Sequence, residues 1–215
     1  MKDLIYKEFK LALHPTSVIF LTFAAMLLIP SYPYYTAFFY SGLGIFFTCL
    51  TGRENHDIYY TCLLPVSKAD VVKARIVYAV IFQIIQVIIC IPVILIKLSL
   101  NIPANAAGME ANAAFLGLAL IMLGLFNLTF FTSFYKNILK IGKPFLVSGI
   151  ITFTYIFAVE AMCHIVPFFR DILDNTDKNF ILQRITVLII GIICYILLTL
   201  AACKKSVNNF IKQDL

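Results

Sequence analysis

Charge is scarce in this chain. Asp, Glu, Lys and Arg make up 13% of its 215 residues, against 61% hydrophobic residues, whereas soluble domains carry roughly 45–50% apolar and about 25% charged residues. Water is therefore not its main solvent. A phosphate-binding loop is also missing: Gly142-Lys143 is followed by Pro144, with no glycine five residues before Gly142, so the GxxxxGK[ST] cradle for nucleotide phosphates does not form. There is no HExxH, no GxSxG and no carboxylate pair at catalytic spacing, which excludes the recognisable hydrolytic chemistries and leaves no catalytic residue to name. CxxC is absent too. Cys49, Cys62, Cys90, Cys163, Cys194 and Cys203 are scattered and read as small apolar fillers, not metal ligands, because a metal site needs clustered ligands. No low-complexity tract or internal repeat appears, which withdraws support from an inverted-repeat transporter.

What the chain does have is apolar blocks near the ~20-residue length that crosses a hydrocarbon core. They run from about 17–29, 34–51, 76–96, 111–135, 145–166 and 185–203. The expected fold is all-α: one polytopic domain over 16–215 with six transmembrane helices. The first two blocks are joined only by Pro30-Ser31-Tyr32-Pro33 and form a tight hairpin. The first block follows Lys7 and Lys10 as a signal peptide would, but no small-residue cleavage site follows it, so it is counted as a span.

Six spans place both termini on one side, and basic residues choose the side, because short cytoplasmic loops are rich in Lys and Arg. With both ends inside, Lys2, Lys7, Lys10, Arg53, Lys68, Lys73, Arg75, Lys136, Lys140, Lys143, Lys204, Lys205 and Lys212 face the cytoplasm. Lys97, Arg170, Lys178 and Arg184 lie outside with Asp171, Asp174 and Asp177. The net charge of +6 is thus a topology signal, and no nucleic-acid partner is expected. The expected location is the plasma membrane.

Residues 1–15 place Leu4, Ile5, Phe9, Ala12 and Leu13 near one helical face beside Lys2, Lys7 and Lys10. This suits either an amphipathic helix in the membrane interface or a tail carrying topology charges. His14-Pro15 bends the chain before the first span.

The longest inner loop, 52–73, is more structured in composition than a linker. Gly52 is expected to end the second span, 54–63 to form a short helix, and Pro65 to stop it. Ser67 is a candidate N-cap with Asp70 three residues on, so the third helix starts near Lys68. Such a helix could dock a partner, or the loop could simply link two spans.

The run Leu64-Pro65-Val66-Ser67-Lys68-Ala69-Asp70-Val71-Val72-Lys73-Ala74-Arg75, preceded by Glu54 to Asp57, resembles the small six-span permease subunits of type 2 ABC exporters. Within them it is most similar to the permeases that export phenol-soluble modulins from Gram-positive bacteria. The order of elements matches over nearly the whole chain. That resemblance implies an N-terminal elbow helix and a cytoplasmic coupling helix between spans 2 and 3. It implies docking to a separate ATP-binding subunit through Glu54, Asn55, His56, Asp57, Tyr59 and Tyr60, supported by Pro65, Ser67, Lys68 and Asp70. It also implies pairing with a second permease, identical or related, and outward movement of hydrophobic or amphipathic substrates such as short peptides. ATP and Mg would be bound by the partner, with no cofactor on this chain. The competing readings are a stand-alone secondary transporter and a membrane immunity protein.

Polar residues within spans are costly unless they face protein or water. Gln83 and Gln86 in the third block and Asn127, Thr129 and Thr132 in the fourth either hydrogen-bond between helices or line a substrate path. Glu160, with His164 one turn on, either contributes to such a path or sits near the outer surface, where it is hydrated or pairs with His164 or Arg184. Gly117 and Gly124 with Ala113 and Ala114 give the fourth span a small-residue face, used within the chain or across a dimer. Among the 20 Phe and 11 Tyr, the cluster from Tyr32 to Tyr40 either anchors the outer hairpin or forms a lateral exit for an amphipathic peptide.

Overall fold

The structure, a computed structural model, describes residues 1–175 and 178–213. Asp177 and the Lys178 side chain, both assigned above to the outer side, lie outside the described part. Helices make up most of it, and no strand occurs among the described residues.

Helix α1 (Lys2–Lys7) continues as one wide π-type turn over Glu8–Ala12. Its apolar side is turned inward, with Leu4 and Ala12 buried and Phe9 packed edge-on against Tyr78 at 5.0 Å. The chain then bends by 91° into α2 (Pro15–Leu21) and the 3-10 turns Thr22–Leu28. His14 makes the bend: its Nδ1 accepts the Thr16 N–H at 3.2 Å, while Pro15 supplies a first helical residue that needs no donor. After the turn come α3 (Thr36–Glu54), α4 (Asp57–Cys62), α5 (Lys68–Ser99), α6 (Ala113–Phe134), α7 (Gly142–Ile165) and α8 (Ile181–Ile211).

Four helices, α5 to α8, are long and apolar enough to cross a bilayer, and the bent pair Lys2–Ala12 and Pro15–Leu28 adds a fifth if taken as one span. Fourteen residues run from Pro15 to Leu28, seven in α form and seven stretched as 3-10 turns, giving about 24 Å against a ~30 Å hydrocarbon core. Helix α3 has 19 residues but is diluted by glycines and hydroxyls and ends on Arg53-Glu54. By contrast, α5 has 32 residues and, at about 48 Å, overhangs the core by roughly 18 Å. Ser67 starts it as a true N-cap, its hydroxyl accepting the Asp70 N–H at 3.1 Å.

One feature differs from the sequence reading. Gly52 does not end α3: it is buried within it, and the chain turns at His56, whose φ of 52° is left-handed. Consequently 54–63 is not one helix but a junction followed by α4. The small-residue face of α6 is used inside the chain. A Cβ at Gly117 would stand 2.6 Å from the Val187 carbonyl oxygen, and one at Gly191 would overlap the Gly117 carbonyl. So α6 and α8 touch backbone to backbone, and α6 becomes the buried centre of the bundle while α5, α7 and α8 expose most of their apolar surface.

Candidate functional site

The end of the bundle that carries the N-terminus holds a buried charge cluster. Arg75 lies two turns into α5, and its side chain and that of Glu8 are only 2% and 1% exposed. The Arg75 guanidinium makes close ion pairs with Glu8 on the π-type turn and with Asp57 on α4, and one of its nitrogens donates to Glu8 Oε1 at 3.2 Å. Lys7 closes the cluster, 2.8 Å from Asp57 Oδ1 and 2.9 Å from Glu8 Oε1, and donates to Thr61 Oγ1 at 3.1 Å. Cys49 Sγ approaches the guanidinium at 3.8 Å.

Two acids thus meet two bases, which is what allows charges to be buried at all. Burial works against the Asp57 carboxylate, but Arg75 and Lys7 more than offset it and hold its pKa below the ordinary carboxylate value. The consequence is mechanical. The bent N-terminal segment, the short α4 and the foot of α5 are fastened at one point.

Outward from that point, α4 exposes Tyr59 and Tyr60, and Leu63 and Leu64 stand exposed just beyond it. Two cavities flank the junction. One of about 480 Å³ opens between His56, Tyr59, Arg53 and the 136–139 loop; another of about 470 Å³ lies between the N-terminal segment and α4, lined by Lys7, Asn55, Tyr60 and Leu64. A short exposed helix, rigidly joined to a long apolar one and bordered by recesses, can receive a push from outside and pass it to α5 as a tilt.

Comparison with known families decides what kind of molecule this is: the model of the ABC-2 family transporter protein matches residues 3–209. The chain belongs to the ABC-2 transporter family. No curated protein and no solved structure matches it. As an ABC-2 permease it is a multi-pass membrane component, of a family that implies an ATP-binding partner.

The residues read from the permease sequence as a docking surface divide into two groups. Glu54, Asn55, His56, Tyr59, Tyr60 and Pro65 are exposed, with Glu54 paired to Arg53. Asp57 points inward to Arg75 and Lys7. Ser67 and Asp70 are joined in the α5 cap, and Lys68 donates to the Gln213 carbonyl at 2.5 Å, tying the foot of α5 to the chain after α8. Sequence reasoning missed Glu8, Lys7, Arg75 and Gly52 as site residues. The one signal was Arg75 itself, a lone cation between Ala74 and Ile76 at the edge of an apolar block.

Within the permease's bundle, Gln83 and Asn127 exchange amide hydrogen bonds at 2.8 and 2.9 Å; Asn127 also donates to Thr199 at 3.2 Å, and Tyr195 donates to Gln83 Oε1 at 2.7 Å. These groups join α5, α6 and α8. Gln86 is fully buried, and neither atom of its amide meets a partner among the described residues. Thr129 is spent on its own helix, donating to the Leu125 carbonyl at 2.8 Å.

At the opposite end the 101–112 segment folds inward. Glu160 accepts the Met109 N–H at 2.8 Å and lies so close to Gly108 that a Cβ there would overlap its carboxylate. Glu110 pairs with Lys97, accepts the Asn105 N–H at 2.8 Å, and gives its own N–H to Asp174 Oδ1 at 2.6 Å. Burial lifts the Asp174 carboxyl above its ordinary pKa, more than the Glu110 N–H hydrogen bond lowers it, and the Glu110 charge adds to the rise. Glu160 therefore meets backbone, and no ion pair joins it to His164 among the described residues. His164 is exposed, and Arg184 donates to the Asn175 carbonyl at 2.8 Å.

Proposed function

We propose that this ABC-2 permease is the membrane subunit of an exporter in which α4 is the coupling helix and the bent N-terminal segment is an interfacial elbow. The observation that carries this reading is the Arg75–Glu8–Asp57 cluster, which makes both elements move with α5. On this reading α2 and α3 complete six crossings as a short hairpin, and the charge-rich end, with both termini, faces the cytoplasm. A separate ATP-binding subunit grips Tyr59, Tyr60, Glu54 and His56. ATP binding draws two such subunits together and rocks a pair of permeases, and hydrolysis resets them.

The substrate class proposed is a hydrophobic or amphipathic short peptide, such as a phenol-soluble modulin or an antimicrobial peptide. The sequence resemblance supports this, as does the largely apolar character of the spans, in which Gln83, Asn127, Tyr195 and Thr199 satisfy one another. The test is co-expression of the tagged permease with ATP-binding subunits from its own genome, followed by ATPase assay in lipid. The wild type is expected to retain one of them and Tyr59→Ala/Tyr60→Ala to lose it, with the permease still folded. Retention of none would overturn the reading.

A further inference from the structure

The cavity between α3, α4 and the 136–139 loop shares His56 and Tyr59 with the proposed coupling surface and carries a charge pattern that coupling does not use. Two cationic side chains, Arg53 and Lys136, line its 480 Å³ together with His56, and no carboxylate does among the described residues; Glu54 pairs with Arg53, which also donates to the Leu139 carbonyl at 3.4 Å, and Asp57 is committed to Arg75. The rest of the lining is largely apolar and includes Tyr59, Phe134 and Leu139.

Above it, α3 and α7 meet along a seam of rings. Phe46 stacks on Phe145 at 4.2 Å, and Phe39 lies 4.5 Å from Phe153, with Phe153 about half exposed. A cationic recess at the ends of membrane helices, below an open aromatic seam, fits an amphiphile with an anionic head.

We propose that this cavity holds the phosphate headgroup of an anionic phospholipid from the leaflet it borders, with the acyl chains lying along the α3–α7 seam. Arg53 and Lys136 supply the charge that selects an anionic over a zwitterionic lipid, each such cation adding attraction on the order of 1 kcal/mol near a membrane surface. The volume lies within the roughly 300–1,000 Å³ of small-molecule sites, enough for a glycerophosphate head. Because Arg53 ends α3 and Tyr59 belongs to α4, a lipid seated here would touch the junction that moves in coupling. The site shares His56 and Tyr59 with the proposed docking surface but does not depend on the export reading, and it is tested on the permease alone.

The test is native mass spectrometry of the full chain in detergent, titrated with dioctanoyl phosphatidylglycerol, dioctanoyl phosphatidylcholine and glycerol phosphate. One phosphatidylglycerol is expected to bind saturably, and phosphatidylcholine at least about tenfold more weakly, as the loss of one to two unit attractions implies. Arg53→Gln/Lys136→Gln should weaken phosphatidylglycerol by about tenfold or more, and Leu139→Glu, an exposed position on the rim, should do the same. Lys2→Gln/Lys205→Gln removes as much charge elsewhere and should change nothing. Equal binding in the two double variants would overturn the site in favour of diffuse charge attraction. Glycerol phosphate binding as tightly as phosphatidylglycerol would overturn the lipid assignment in favour of a free anion.

Discussion

Gly52 and Arg75 share one space: a Cβ at position 52 would stand 3.2 Å from a guanidinium nitrogen of Arg75 and 3.6 Å from an Asp57 carboxylate oxygen. The glycine is needed for room, not for backbone freedom, since it sits in a regular stretch of α3. Gly52→Ala is expected to be tolerated with a small shift of the guanidinium. Gly52→Val should force Arg75 from its pairs and cost about 1–3 kcal/mol, the usual range for overpacking. Thermal unfolding of the purified permease reads the stability, and lipid-stimulated ATPase activity with its partner reads the coupling. Equal behaviour of the two variants would show that Arg75 has space to yield.

Arg75→Met removes the centre of the cluster and leaves Glu8 buried without its main counter-charge, so it should destabilise by roughly 3–5 kcal/mol. Glu8→Leu/Arg75→Met removes the buried pair as a unit and is expected to regain much of that loss, because an apolar replacement of a buried pair is often neutral. The double variant should nevertheless couple poorly, since α4 keeps only its Lys7 link. Recovery of stability without recovery of ATPase stimulation is the expected signature. If both recover together, the cluster contributes packing alone.

The sequence made the helices legible because apolar blocks of span length have few alternatives in a bilayer. Ser67 was legible as a cap because its signal is local. The Glu8–Arg75 pair was not: it joins residues 67 apart, and each reads alone as part of a charged boundary. Gly52 was misread because helix ends and close approaches both call for glycine, and only the position of Arg75 tells them apart. The polar residues of the spans were legible as a class, but their partners were not. Gln83 and Asn127 found each other, while Glu160 found a backbone N–H in a loop whose sequence gives no sign that it folds inward.

Gly191 and Gly117 set the distance between α6 and α8. Gly191→Ala should separate the helices and lower the unfolding midpoint, because the new methyl meets backbone that cannot rotate away. Gly149→Ala is the matched control: nothing lies within 4 Å of its added Cβ, so that variant should unfold at the wild-type temperature or slightly above. A similar loss in both would mean that helix separation is not what Gly191 controls.

The two ends of the bundle are expected to respond to acid in opposite senses. Asp57 has a folded pKa below its ordinary value near ~3.9, so its contribution is fully present above that value and disappears as pH falls through the lower, folded one. Asp174 has a raised folded pKa; its ionisation opposes folding, so its penalty grows as pH rises from about 3.9 through the folded value. Asp57→Asn should therefore remove stability at neutral pH and flatten the acid limb. Asp174→Asn should be neutral or stabilising at pH about 7, where the wild-type carboxylate carries its penalty. Unfolding midpoints across this pH range check both signs.

The inward fold of 101–112 rests on Gly108, because its missing side chain lets the Glu160 carboxylate reach the Met109 N–H. Gly108→Val must expel either the carboxylate or the loop. Since α7 is a continuous helix and the loop is held mainly by hydrogen bonds through Asn105, Glu110 and Ala106, the loop should give way. Met109, fully buried in the wild type, then becomes the reporter. In a background with the six native cysteines replaced by alanine, Met109→Cys should resist a membrane-impermeant maleimide, and adding Gly108→Val should make it react at least about tenfold faster, the equivalent of losing about 1.4 kcal/mol of local closure. Glu160→Gln, which can still accept the N–H, should leave the label slow. Fast labelling with Glu160→Gln as well would mean that the carboxylate's charge, and not only its position against Gly108, holds the loop closed.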